Sequence, residues 1–513
     1  MLTSFASQMS LLWSSVGIVS DPMTLLIILL ATTTGIVVGA IPGLTGTMAL
    51  ALLINVTYTM KLEYAVAFLL SVYVGAIMGG CYSAIMLNIP GTPAAAATAL
   101  DGFVLAKRGE GGKALATGIV SSFIGVTISV VVLLFFTPMI YSVALKFGKW
   151  EYFLLALFGI MICGSLSTDS TPLKGWIIGF LGFFAAMIGL DPIYSYSRFT
   201  FGIPNLMGGI QLIPALIGVF GISEILTVLQ ESIPYSMEED LGSVMPDKKI
   251  LKQIWKPTIR SGFIGAAIGA IPGAGEDIAA WVSYDVGKRR SKNKRFFGKG
   301  SYEGLACAET ANNACIPGAM IPLLTLAIPG SPQAAMFLAA IWLHGVKPGP
   351  MLALQNPTFL YETGITLFLS AVCMLVVGLL ITKPMVKLLK INRKILMPII
   401  VPMTVIGAYA GNVNIFDIKV MLIFGVIGFF LRKMKYPMAP LVLGLILGPT
   451  ADLNFRQALM MGQGSIVPLL GRPVGIVFML VITFILITGI TKSFSKKETN
   501  TMDSMNVYEE GMV

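Results

Sequence analysis

The sequence predicts an all-α fold: a polytopic membrane helical bundle with two inverted repeats and Pro-Gly-interrupted helices. Three observations predict it. Of 513 residues, 56% are apolar and 12% charged, with a mean hydropathy of +0.84, whereas soluble domains carry roughly 25% charged residues. Uncharged runs recur at 114–145, 175–190, 364–382 and 474–491, near or above the ~20 residues that cross a hydrocarbon core as helix. No strand-length alternation of polar and apolar residues points to an outer-membrane barrel. Finally, Gly-Ala-Ile-Pro-Gly at 39–43 returns 230 residues on, at 269–273, and NIPGTP at 88–93 is answered 239 residues on by AIPGSP at 327–332. Proline removes a backbone N–H and clashes with the preceding turn. In lipid the freed groups survive only inside protein or beside a watery cavity.

In order along the chain, residues 1–22 form a lead-in closed by Asp21-Pro22. Its basic n-region and cleavage site are missing, so a removable signal peptide is not expected. The first repeat, 23–230, begins with a helix broken at Pro42-Gly43 and a short loop, 59–63. A run from 64 to 106 follows, broken at Pro90-Gly91-Thr92-Pro93, and then the basic loop 107–113. Apolar segments near 114–138, 150–167 and 173–190, an external loop at 191–210 and a helix at 211–230 complete it. The interval 231–258 is polar and reads as a linker. The second repeat, 259–490, repeats the plan: a broken helix at 260–286, a loop at 287–302, a broken run at 303–343, and further segments from 362. The tail, 491–513, lacks periodicity and is expected to be disordered.

Charge placement orders the repeats. The net charge of +10 sits in short clusters between apolar segments, the pattern of cytoplasmic loops, so no nucleic-acid partner is expected. Loop 288–299 holds Lys288, Arg289, Arg290, Lys292, Lys294, Arg295 and Lys299, whereas its counterpart 59–63 holds Lys61 beside Glu63. One step on the bias reverses: Lys107, Arg108 and Lys113 face Lys347 alone. Equivalent loops of opposite bias belong on opposite sides of the membrane, so the repeats are expected to be inverted. Lys492, Lys496 and Lys497 place the C-terminus in the cytoplasm. Whether each broken element crosses once or folds back stays open.

Paired breaks in two halves are the best sequence pointer to a transporter's binding site. Around the first pair lie Thr45 and Thr47, and Gly275, Glu276 and Asp277; around the second lie Asn88 and Thr92, and Ser331 and Gln333. Hydroxyls, amides and free carbonyls suit Na+, and half-helix N-termini suit carboxylate groups. In AETANNA (308–314), Glu309, Asn312 and Asn313 share one face of an apolar helix, and an intramembrane carboxyl is a functional candidate by default. The bland alternatives are packing kinks at the breaks and an interhelical hydrogen-bond cluster at Glu309.

An enzyme is not expected. GAGED with Tyr284-Asp285 superficially resembles intramembrane aspartyl proteases, but Glu276 spoils the GxGD motif, and Asp277 and Asp285 lie on one helix, too far apart to share a proton. HExxH, GxSxG and Walker A motifs are absent. The five cysteines form no CxxC and His344 is the only histidine, so no disulfide framework or histidine-based metal site is implied.

GAIPGLTGTMALALL, NIPGTPAAAATALDG, FGKGSYEG, AETANNA and LLTLAIPGSP, in this order, together with the loop and helix 191–218, resemble the large membrane subunit of tripartite tricarboxylate transporters over residues 22–475. The resemblance implies partnership with a small four-helix membrane subunit and an extracytoplasmic solute-binding protein. It also implies an ion gradient as driving force, with Na+ or H+ as coupling ion and no other cofactor, and small carboxylates such as citrate as substrates. Carried over by motif, the site positions are Pro42, Gly43, Thr45, Asn88, Pro90, Gly91, Pro272, Gly273, Asp277, Asn312, Asn313, Pro329 and Gly330, with Na+ expected near Asn88 and Asp277. Cys307-Ala308 and Cys315-Ile316-Pro317 depart from the family pattern, which makes substrate identity less transferable. The expectation is therefore an importer subunit in the cytoplasmic (inner) membrane; a transporter of like fold for another solute is the alternative, and a membrane-embedded enzyme a remoter one.

Overall fold

Long uncharged runs can satisfy their backbone groups in an apolar setting only as helix, and the computed structural model is helical almost throughout. It describes residues 5–166, 171–230, 241–245, 247–389 and 393–510. The first half contains α1 (Phe5–Val19), α2 (Pro22–Ala40), α3 (Gly46–Leu53), α4 (Leu62–Leu87), α5 (Ala96–Leu105), α6 (Gly111–Ala144), α7 (Lys149–Leu166) and α8 (Pro172–Ala186). A small hairpin of β1 (Gly189–Leu190) and β2 (Ser197–Arg198) precedes α9 (Leu212–Leu216) and α10 (Ser223–Gln230). The second half contains α11 (Lys248–Gly269), α12 (Gly275–Arg290), α13 (Tyr302–Leu326), α14 (Pro332–Leu343), α15 (Leu352–Gln355) and α16 (Phe359–Leu388). It ends with α17 (Arg393–Ala410), α18 (Ile415–Lys433), α19 (Met438–Met461) and α20 (Pro473–Glu510). Among the described residues, 8 helical elements are long and apolar enough to cross a membrane; the chain is a multi-pass membrane protein.

Two expectations need correction. The basic end of the 231–258 interval is not a linker, because Lys248 already opens α11; residues 231–240 lie outside the described residues. The segment 491–510 continues α20, where the sequence led us to expect no regular structure. No proline or glycine interrupts it between Gly489 and Gly511, and its lysines, glutamates and methionines are good helix formers.

The helices form two compact units, Met1–Leu145 with Ile213–Phe429, and Lys146–Leu212 with Phe430–Val513. Each draws on both halves of the sequence. In the first unit α4 lies against α2, and α13 against α11, through a matched set of glycines with no room for a side chain. A Cβ on Gly35 would strike the carbonyl oxygen of Val72, and one on Gly265 that of Ala311. Gly39 meets Ala76 and Gly269 meets Cys315 in the same way; Gly79 meets Ile36 as Gly318 meets Ala266. In both pairs residue numbers rise together, so α2 runs parallel to α4 and α11 parallel to α13. With only 21 residues between α2 and α4, the chain must fold back along α3, and by the same logic along α12. Tyr64 at the start of α4 accordingly reaches Asp21 at the start of α2, at 3.4 Å.

The second break in each half behaves differently. After Leu87 the chain doubles back until Gly91 rests on Gly80 and the Gly39 carbonyl, then α5 sets off again beside α4, with Ala95 and Ala99 packed on Ala84 and Gly102 on Ile85. After Leu326, Gly330 likewise rests on Ala319 and the Gly269 carbonyl. Gly109, at φ 76, then reverses the chain between α5 and α6, so that Gly118 packs back against Cys81 and Ile85.

The second unit packs α8 parallel to α19, with Gly182 on Leu441, Gly444 on Gly179 and Gly448 on Ala186. Trp150, Leu154, Ala458, Leu469 and Ile482 form its core. An ionic cluster closes the end bearing the β-hairpin: Arg456 binds Asp191, and Arg198 binds Asp452 at 3.0 Å. The Arg456 guanidinium, with the N–H groups of Ile193 and Tyr194, holds the Asp191 carboxyl well below the usual carboxylate range.

Candidate functional site

The four breaks are of two kinds, one for each pair. At the first, Gly43 takes φ 89 and Thr45 caps α3 by accepting the Met48 N–H at 3.2 Å. At the third, Gly273 takes φ 70, and the Gly275 N–H reaches the Gly330 carbonyl at 3.1 Å. The second and fourth breaks open on a left-handed residue ending the preceding helix, Asn88 at φ 56 and Ala327 at φ 57. Asparagine tolerates that conformation, so Asn88 has a backbone reason to be asparagine. Proline then starts the next helix at its first turn, Pro93 after Thr92 and Pro332 after Ser331, where a missing N–H does no harm. Ser331 caps α14 by accepting the Ala334 N–H at 3.1 Å.

These breaks gather where α4 and α13 cross. Tyr73, in mid-α4, shares a hydrogen bond of 2.6 Å with Ser331, beyond the tip of α13. Asn312, in mid-α13, donates to the carbonyl of Ala94, beyond the tip of α4, at 3.4 Å. Each helix thus reaches the other's break, and the two run antiparallel. Gly46, at the start of α3, faces the Gln333 amide. The exchange is reciprocal, because Tyr73 and Asn312 are equivalent positions 239 residues apart.

Two buried carboxyls flank the crossing. Glu276, in the first turn of α12, accepts the Tyr73 hydroxyl. Glu309 on α13 accepts the hydroxyls of Thr98 at 2.5 Å and Ser122 at 3.2 Å, and the Asn313 amide at 3.4 Å. Asn313 also donates to Ser122 at 2.9 Å and to Asn312 at 2.7 Å. Glu309, Asn312 and Asn313 are fully buried. A third buried carboxylate, Asp101, ties α5 to the loop before α13. One oxygen accepts the N–H groups of Gly298, Gly300 and Ser301 at 2.8–2.9 Å, and the other accepts the Tyr284 hydroxyl at 2.9 Å.

Of the residues singled out in sequence, Pro42, Thr47, Gly91, Thr92, Pro272, Gly275, Pro329, Gly330 and Ser331 are buried at the breaks, and Gly43, Thr45, Pro90, Gly273 and Asp277 are half-buried there. Asn88 is exposed. The oxygens of Thr92, Gln333 and Asn313 are buried without a hydrogen-bond partner, at the places where α5, α14 and α13 meet the crossing. Sequence reasoning missed Tyr73, Thr98, Ser122 and Asp101, and left Glu276 out of the site. Tyr73 and Ser122 stand in apolar runs, while Thr98 and Asp101 lie inside NIPGTPAAAATALDG and Glu276 inside GAGED; the pairing of helices distant in sequence is what singles these five out. Among the described residues no three His, Cys, Asp or Glu side chains gather to hold a metal ion.

The model of the tripartite tricarboxylate transporter TctA family matches residues 25–443. The chain is similar to an uncharacterized 52.8 kDa protein in the TAR-I ttuC' 3'region of Agrobacterium vitis, 34% identical over 443 residues, 86% of this chain and 88% of that one. It is also similar to an uncharacterized protein in the TAR-II ttuC' 3'region of the same organism, 34% identical over 210 residues, 41% of this chain and 87% of that one. No solved structure matches.

Proposed function

Because the chain belongs to the tripartite tricarboxylate transporter TctA family, we propose that it is the translocation subunit of an ion-gradient-driven importer for tricarboxylates or other small carboxylates. The observation that carries the reading is the convergence of four broken helices on an antiparallel crossing. It brings together the non-helical backbone of the breaks, helix N-termini and buried polar side chains, the materials of a midplane site for an anion and its coupling ion. In this reading the solute arrives from an extracytoplasmic binding protein, and a small four-helix subunit completes the membrane assembly.

The same crossing supports an inverted relation of the halves. Basic loops of opposite repeats lie together, with Arg108 donating to the Lys299 carbonyl at 2.6 Å, while His344 and Thr57 meet at 3.4 Å at the other end of α4. Clustered Lys and Arg argue for a cytoplasmic face at the Arg108 end, in a cytoplasmic (inner) membrane with the C-terminus inside.

Reconstitution tests the function. This chain, the small subunit and the binding protein, together in liposomes, should accumulate labelled citrate or a related carboxylate under an imposed ion gradient, and the single chain should not at micromolar solute. Rapid uptake by the chain alone would defeat the three-component reading.

A further inference from the structure

Glu309 lies between α13, α5 and α6 with no solvent exposure. The side chains that donate to it, Thr98, Ser122 and Asn313, are neutral, as is Asn312 beside it. Among the described residues no ion pair reaches it. The other half of the molecule supplies a control. The positions equivalent to Glu309 and Thr98, 239 residues away, are Leu70 and Phe337. Thr310 lies against Gly125 as its counterpart Ser71 lies against Ser370, which puts Leu367 in the place of Ser122. Leu70, Phe337 and Leu367 are buried to within 1%. The positions that hold Glu309, Thr98 and Ser122 in one half are thus buried apolar side chains in the other, so burial at these positions does not by itself call for a carboxyl.

An ionised carboxylate at such depth is unfavourable without a compensating cation or proton. The hydroxyls of Thr98 and Ser122 can each donate or accept, so the cluster satisfies both the carboxylate and the neutral acid. Na+ would need several lone pairs converging on one point. Asn313 presents its Nδ2, a donor with no lone pair to offer, to the cluster, and its Oδ1 is buried without a hydrogen-bond partner. The titratable groups around this place are few. α4 brings the Cys81 thiol, beside Gly118 and the Glu309 stem. α5 brings Asp101, which is turned to Tyr284 of α12 and the 298–301 loop. α11 brings Arg260, which faces Cys307 at 3.9 Å. α12 brings Glu276, which is held by Tyr73, and Asp277 in the same first turn.

We infer that Glu309 is a reversible proton-binding carboxyl and that H+ bound there is the coupling ion. The inference rests on the transporter reading, and two measurements separate their fates. Infrared difference titration of the purified chain in lipid should show a protonated-carboxyl band that is lost on raising pH, missing in Glu309→Gln, and indifferent to NaCl at constant pH. A spectrum unchanged by Glu309→Gln overturns the inference, and so does a band that NaCl abolishes, which would make this a cation site. In the complete reconstituted system wild type should exchange citrate placed on both sides and accumulate it under a pH gradient, and Glu309→Gln should lose the accumulation. Accumulation equal to wild type overturns the inference. Absence of exchange in the wild type strikes the transporter reading for citrate, and the infrared result still decides the role of Glu309. Glu309→Leu, which copies Leu70, should fold and lose the band, keeping the test independent of folding.

Discussion

The two halves of the first unit share their skeleton and differ in what they place on it. Gly35, Gly39, Gly79 and Gly91 meet the carbonyl oxygens of Val72, Ala76, Ile36 and Gly39, and Gly265, Gly269, Gly318 and Gly330 meet those of the equivalent Ala311, Cys315, Ala266 and Gly269. The polar groups do not follow that symmetry. Tyr73 corresponds to Asn312, Gly46 to Glu276, Leu70 to Glu309 and Ala340 to Asp101. Backbone-to-backbone approach tolerates almost no substitution, so it keeps its imprint in sequence. A side chain facing a helix junction can change identity when its neighbours change with it. The symmetric contacts therefore describe the frame, and the asymmetric ones describe what the frame is used for.

The largest expected effect would break the shared frame. Gly39→Val and Gly269→Val each drive a side chain into a carbonyl oxygen, of Ala76 and Cys315, and each should destabilise by about 3 kcal/mol or more. Thermal unfolding in detergent should show losses of similar size; a tolerant Gly269→Val would mean that the two interfaces are not equivalent. Next comes the asymmetric latch. Asp101→Ala removes the acceptor of three N–H groups and one hydroxyl, at roughly 2–3 kcal/mol. Hydrogen exchange at 298–301 should rise sharply in that variant, and His344→Ala at the opposite end should leave local exchange nearly unchanged. If both variants open their own ends equally, the latch is not one-sided.

Smaller effects sharpen the comparison at the crossing. Tyr73→Phe withdraws a donor from the buried Glu276 and should cost about 1–2 kcal/mol. Asn312→Ala, at the equivalent position, gives up only a long bond to Ala94 and its bond with Asn313, and should fall nearer ~1 kcal/mol. Equal losses would argue that Glu276 draws nothing from Tyr73. Acid should act mildly and on the other unit. Asp191 is held below the usual carboxylate range by Arg456, so its stabilising contribution is complete above the unfolded-state value of about 3.9 and is lost as pH falls below it. Unfolding midpoints measured from neutral pH downwards should bend in wild type and flatten in Asp191→Asn; parallel curves would remove Asp191 from the acid response.

Much of the frame was legible in sequence for one physical reason: helices that approach to backbone contact, and breaks that need φ > 0, leave glycine and proline at fixed places. Gly43, Gly91, Gly273 and Gly330 announced the four breaks, and the low charge content announced the membrane. The Glu309, Asn312 and Asn313 face was readable from its 3.6-residue spacing. Sequence alone also established the family motifs. Tertiary structure alone decided that the first break of each half reverses the chain while the second doubles back and resumes its course. Proline and glycine release the backbone from helix without dictating where it goes next; the packing of α4 on α2, and of α13 on α11, sets that direction. It alone joined Tyr73 to Glu276 across 203 residues and Thr98 to Glu309 across 211, because a lone hydroxyl in an apolar helix carries no mark of the distant group it will satisfy. The end of α20 shows the converse: local propensity favours helix through Glu510, and polarity alone could not distinguish that from a tail without structure.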